Sequence, residues 1–236
     1  MSSVARFYKA VAVAGVAGRF TVLLDGKPVK TPNRAALDLP GQELAEAIAV
    51  EWRGQGEKLD PATMPLTRLA YAARDVGAAQ RARIATEILG FGRSDLLCYR
   101  AEAPAALVAR QAANWDPMLD WAASRFGARL AVGTGIGFVT QSEAALAALA
   151  LPIEGCDEFA LVALHGATSI TGSLVLVLAL LDERLDAAEA FRLSRLDEDF
   201  QAEAWGRDAE AEARAARLAR ELSAIAQFLR LCRGRP

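Results

Sequence analysis

At 236 residues, 53% of them hydrophobic and 24% charged, the chain has ordinary globular composition and enough length to bury roughly three quarters of its unfolded surface. Disordered, collagen-like and low-complexity classes are excluded. A net charge of -2, from 27 basic and 29 acidic residues interspersed along the chain, also excludes the massed basic surface that nucleic acid requires.

Cys98, Cys156 and Cys232 are odd in number and far apart, with no C-x-x-C, so neither a disulfide framework nor a zinc site is expected. A reducing compartment fits them. The opening "MSSVARFYKAVAVAG" has no continuous apolar run and no Arg- and Ser-rich presequence, so no signal or transit peptide is read and the bacterial cytoplasm is the expected location.

The first forty residues carry β and turn signals: "FYKAVAV", the turn "AGVAG", "RFTVLL", then Asp25-Gly26 ahead of "KPVK". Asp-Gly between two such runs predicts a two-residue hairpin, because both positions of a type I′ turn need positive φ. From Gln42 the period becomes helical, with Leu44, Ala47, Ile48 and Trp52 recurring until Gly54 and Gly56. "PATMPLTRLAYAARDV", "AAQRARIATEILGFG", "PAALVARQAANWDPMLDWAASRFG" and "SEAALAALA" then predict successive helices. Two more are expected, Asp186 to Trp205 and Arg207 to Leu231, the second with an i,i+4 pair of Glu210 and Arg214. Strands followed by a run of helices predict an α+β fold, with residues 1–75 as a β-rich domain and 76–236 as a helical one.

Phe159 to Leu181 is 23 residues without a formal charge, long enough to span a bilayer. It nevertheless holds His165, Gly166, Thr168, Ser169, Thr171 and Gly172, and only Leu174 to Leu181 is continuously apolar. A buried helix or helix pair is expected, without membrane insertion.

Candidate chemistry is sparse. Gly133, Gly135 and Gly137 open toward a helix, but Phe138 stands where a dinucleotide fingerprint needs its next spacing, and no P-loop Lys follows. A flexible connection is expected there. His165, the one histidine, lies in the apolar run and is expected to be a hydrogen-bonded core residue; a multi-His metal site or a Ser-His-Asp triad has no second histidine to draw on. The "NWDPMLDW" tryptophans, Trp115 and Trp121, are expected in packing, and Trp205-Gly206 as a helix end with a glycine cap.

Asp197, Glu198 and Asp199 form the densest acidic set. Consecutive helical residues diverge by about 100°, so the three cannot converge on one ion or one bond. Taking Leu193, Leu196, Phe200, Ala204 and Ala211 as one apolar stripe with Leu193 at zero, Asp197 falls near 40° and Gln201 near 80°, while Glu198 and Asp199 lie at about 140° and 240°. Asp197, with Gln201 one turn on, is therefore a constrained acid beside the core. An ion pair with Arg192, Arg195 or another base and a functional role both remain open for it.

Set in order, "RFYK" (6–9), "LLDGKPVKTP" (23–32), "LP" (39–40), "LAEAIAVEWRGQ" (44–55), "MPLTRLA" (64–70), "SDLLCY" (94–99), "QAANWDP" (111–117), "TGSLVLVLAL" (171–180) and "SRLDEDFQAEAWG" (194–206) resemble the assembly chaperones of F-type ATP synthase that act on the alpha subunit of the F(1) head. The resemblance implies a small N-terminal α+β domain followed by a larger orthogonal helical bundle. It implies a protein that holds the unassembled alpha subunit until the beta subunit takes over, with no enzymatic activity and no cofactor; no metal site is expected, and the expected oligomeric state is a monomer. Carried onto these residues, it places a partner-binding acid at Asp197 or Glu198 and a partner-binding tryptophan at Trp52. Gln201 and Trp205 complete the expected contact set. The family pattern has Glu where this chain has Asp197, which leaves open which of the two acids makes the contact, and after Gly206 the match fades. Two other classes stay in view: a small cytoplasmic hydrolase with Asp197 or Glu198 as general base, and a membrane-anchored factor using residues 159–181.

Overall fold

The computed structural model describes residues 4–16, 18–135, 137–206 and 208–233. Ala17 of the first turn, Ile136 of the glycine-rich loop, Arg207 ahead of the last helix, Gly234 to Pro236 and Met1 to Ser3 lie outside the described residues.

In chain order the elements begin with β1 (Val11–Val16), β2 (Arg19–Leu24), β3 (Lys27–Pro28), α1 (Gln42–Arg53), α2 (Pro65–Arg74) and α3 (Ala78–Arg93). They continue with β4 (Tyr99–Arg100), α4 (Ala105–Phe126), β5 (Gly133–Thr134), α5 (Glu143–Glu154), α6 (Glu158–Thr171) and α7 (Leu174–Leu181). The last three are α8 (Ala187–Ser194), α9 (Leu196–Trp205) and α10 (Ala209–Arg233). A three-stranded antiparallel sheet followed by a run of helices is the expected α+β fold.

The chain divides into two compact units. One takes in the chain through Arg81, the short segment Asp157–Ala163 and the chain from Gln227; the other is Ala82–Cys156 with Leu164–Ala226. The first unit therefore gathers two later segments besides the one that ends near the boundary expected at Asp75.

In the first unit, β1, β2 and β3 form an antiparallel meander in which Val13 faces Val22 and Leu24 faces Lys27. Asp25 and Gly26 both have positive φ, 48° and 79°, as the hairpin requires. Helix α1 lays Leu44, Ile48 and Trp52 against β1 and β2. Its Glu51 reaches the exposed donors at the start of α2, accepting from the Leu66 and Thr67 amides at 2.8 Å each and from Thr67 Oγ1 at 2.6 Å. Burial nonetheless pushes this carboxyl above its ordinary range. The "VEW" and "MPLT" stretches are thus two halves of one helix cap.

Trp52 departs from expectation. Only 6% exposed, it lies in the interior of this unit with the Tyr8 ring edge-on at 5.5 Å, and Tyr8 donates its hydroxyl to the Trp52 carbonyl at 2.7 Å. Its helical phase, shared with Leu44 and Ile48, turns the indole inward, so the ring offers no surface to a partner.

In the second unit, α7 is buried along Leu174–Leu180 and packs against α4. The charge-free run breaks at Gly172, which has φ of 67°, and Ser173 caps α7 by accepting the Leu176 amide at 3.1 Å. It is a helix pair, and among the described residues no helix is long and apolar enough to cross a membrane. Gly92 permits the close approach of α3, since a Cβ there would stand 3.1 Å from Leu174 Cδ2 and 3.4 Å from Leu149 Cδ1. Asp95, fully buried, ties the "SDLL" and "TGSLVL" stretches together by accepting the Leu97 and Val175 amides, both at 3.0 Å.

Two expectations change here. The glycine-rich loop contains β5, which pairs in parallel with β4, Tyr99 opposite Gly133 and Arg100 opposite Thr134. The single helix expected from Asp186 to Trp205 is broken at Arg195, whose φ and ψ are -112° and 15°. The Leu193 carbonyl, which an unbroken helix would offer to the residue four on, instead accepts from Trp115 Nε1 at 2.9 Å.

Candidate functional site

The break at Arg195 gives α9 its own orientation, and one stretch of α4 sets it. Gln111 is 1% exposed and uses both ends of its amide: Oε1 accepts the Ala101 amide at 2.9 Å, and Nε2 donates to Asp197 Oδ1 at 2.8 Å. Asn114 Oδ1 accepts from Arg192 Nη1 at 2.9 Å. Arg110 grips Glu203 with two bonds, 2.9 Å and 2.8 Å, and lays its guanidinium over the Phe200 ring at 5.0 Å. Asp116 pairs with Arg100 at 2.8 Å, and Arg100 also covers the Trp115 ring at 5.3 Å. The "RQAANWDP" stretch is therefore a clamp on α8 and α9.

That clamp assigns the acids different surroundings. Asp197 is half-buried on the α4 side, and its partner is the neutral Gln111 amide rather than Arg192 or Arg195. Glu198 and Asp199 are exposed, as helix geometry predicts, and Asp199 pairs with Arg195 at 3.6 Å. Gln201 and Ala204 are exposed, contrary to the stripe drawn through Leu193, because the phase of α8 does not continue into α9. Counted from Asp197 at about 100° per residue, Gln201, Trp205 and Glu198 fall near 40°, 80° and 100°, within about 60° of one another, while Phe200 and Glu203 fall near 300° and 240° and Asp197 stands at the border between the two sets.

Glu198, Gln201 and Trp205 line an open cleft of about 1010 Å³ between α9 and α10, with Phe191 and Arg195 at one end and Arg214 and Arg217 on the α10 wall. A second cleft, about 410 Å³, opens on the other side of the same helix pair, and Ala202 and Ala211 line both. The two helices meet at the Gly206 turn, where φ is 95°, and then splay, which leaves Ala211 exposed. Trp205 is 83% exposed, the most of any large apolar side chain among the described residues.

No group of His, Cys, Asp and Glu side chains among the described residues could hold a metal ion. His165 sits half-exposed with Nε2 2.9 Å from Glu87 Oε2, so it is a surface pairing residue rather than the core histidine expected. What the α9 surface offers is a fixed helix presenting a carboxylate, an amide and an indole side by side, which suits contact with another protein. Of the expected contact residues, Glu198, Gln201 and Trp205 line one cleft, Asp197 bonds to Gln111 instead, and Trp52 is buried within the other unit. Sequence reading missed Gln111 and Arg110; a buried Gln three residues before an Asn-Trp pair carries no local signal, and its partner is 86 positions away.

The family described as ATP12 chaperone protein matches residues 5–123. Atp12 of Paracoccus denitrificans is 43% identical, the alignment covering 97% of this chain and 98% of that one with a TM-score of 0.93, and a point mutant of the same protein matches equally. A protein of Agrobacterium tumefaciens is 45% identical over 96% of this chain and 86% of its own, with a TM-score of 0.89. The protein named atp12, mitochondrial, of Schizosaccharomyces pombe is 24% identical over 213 residues, 85% of this chain and 73% of that protein. The chain belongs to the ATP12 chaperone family, the assembly chaperones of F1 ATP synthase.

Proposed function

We propose that this protein holds the unassembled alpha subunit of F1 in the bacterial cytoplasm, covering its apolar assembly surface until the beta subunit replaces the chaperone, and that it acts as a monomer without catalysis. Such an uncovered surface aggregates, and a chaperone for it needs a matching apolar face with a few oriented polar groups. The observation that carries the reading is the exposed Trp205 beside Glu198 and Gln201 on the open face of α9. Exposed aromatics in a polar surround are the usual anchors of protein recognition.

In this reading the two acids divide the work. Glu198 meets the partner directly, and Asp197 is a positioning residue that holds α9 on α4 through Gln111. The test is affinity capture with the tagged protein from a lysate of its own organism, with the captured subunit identified. Recovery of the alpha subunit by the wild type, reduced for Glu198→Gln and Trp205→Ala, supports the proposal. Absence of the alpha subunit from the wild-type capture overturns it.

A further inference from the structure

Helix α10 extends beyond the part of the chain whose residues the resemblance covers, yet its first half forms one wall of the open cleft. Nearly every residue from Ala209 to Arg217 is exposed, so this stretch of helix has no packing partner along most of its length. The expected i,i+4 pair of Glu210 and Arg214 is not among the ion pairs of the described residues. Arg214 and Arg217, three apart and hence neighbours on one helix face, both line the cleft, and neither has an ion pair among the described residues. Arg110, and Arg195 at one end of the cleft, differ, since they are engaged by Glu203 and Asp199. On the opposite wall Glu198 likewise has no ion pair among the described residues, and Trp205 and Phe191 supply apolar surface between the two walls.

The α10 wall carries the paired guanidiniums of Arg214 and Arg217, with the carboxylates of Glu210 and Asp208 nearer the Gly206 turn; an apolar floor and Glu198 lie across from them, and together these groups define a complementary segment. We infer that the α9–α10 cleft receives one amphipathic helix of the captured alpha subunit, whose carboxylates, one turn apart, meet Arg214 and Arg217. This rests on the proposed capture of that subunit and says which part of it is gripped. A helix fits because the cleft is bounded by two splayed helices, and a third, about 10 Å across, completes a three-helix packing in which the exposed alanines of α10 become buried. The paired guanidiniums then choose the partner by charge, while the apolar floor supplies affinity.

The test uses the full chain and purified alpha subunit. Both arginines are exposed and without an ion pair among the described residues, so R214E/R217E keeps the wild-type circular dichroism and unfolding midpoint. It is expected to bind the alpha subunit on the order of tenfold more weakly than wild type, while R214K/R217K stays within about threefold. Hydrogen exchange in the wild-type complex reads the same contact without substitution: amides of 198–206 and 209–218 are expected to slow. Equal binding by R214E/R217E, or unchanged exchange in 209–218, overturns the inference while wild-type capture still stands. Loss of capture by the wild type itself refutes the underlying reading instead. A concentration-dependent dimer abolished by R214E/R217E assigns the cleft to a second copy of this chain and overturns the inference too.

Discussion

Replacing Gln111 with Leu keeps most of its volume and removes both of its hydrogen bonds. The Ala101 amide loses its acceptor and stays partly buried, which costs about 1–3 kcal/mol. The Asp197 carboxylate loses its donor as well; because it is half exposed, water compensates, and about 1 kcal/mol is the appropriate figure. Gln111→Leu should therefore lower stability by roughly 2–4 kcal/mol, whereas Asp197→Asn, which keeps an acceptor for Nε2, should cost less than about 1 kcal/mol. Urea unfolding at neutral pH, followed by tryptophan fluorescence and circular dichroism, measures both. Gln111 is 1% exposed and remote from any partner, yet its loss should also weaken alpha-subunit capture, because α9 then drifts on α4. A Gln111→Leu midpoint within about 0.5 kcal/mol of wild type would refute the clamp.

Three further outcomes follow from the same structure. Burial pushes Asp95 up from 3.8 to about 6, so its contribution to stability is fully present below its ordinary value and is lost as pH rises through 6, roughly 3 kcal/mol in all. Between pH 4 and 7 the wild type should lose stability relative to Asp95→Asn in urea titrations, and parallel curves would contradict the assignment. Trp205→Ala should leave the unfolding midpoint within about 0.5 kcal/mol of wild type while weakening capture, as an exposed anchor does. Glu198→Gln should reduce capture more than Asp197→Asn in a binding assay with purified alpha subunit; the reverse order would make Asp197 the contact residue.

Much of this arrangement was legible because it rests on local chemistry. The Asp25-Gly26 hairpin follows from two positive φ values and the end of α9 from Gly206, while the charge-free run read as a buried helix or helix pair resolves into a pair at Gly172 and Ser173. The divergence of Asp197 from Glu198 follows from 100° per residue. What stayed hidden depends on distant partners. The break at Arg195 answers to Trp115, 78 positions from the carbonyl it takes, and nothing between Asp186 and Trp205 announces it. Once that break is in place, the phase drawn from Leu193 fails at Gln201 and Ala204. The resemblance makes Trp52 a partner-binding residue, whereas its spacing from Leu44 and Ile48 places it with the core of α1. The β4–β5 pairing joins two-residue strands too short to leave a periodic signal.

Capture of the alpha subunit through the open face of α9 can be followed with purified components. The most direct measurement is light scattering of purified alpha subunit diluted from denaturant, with stoichiometric chaperone present. Wild type should suppress the scattering, Trp205→Ala and Glu198→Gln should do so less, and added beta subunit should release the held alpha subunit. Scattering unchanged by the wild-type protein, or suppressed equally by all three, would contradict capture through α9.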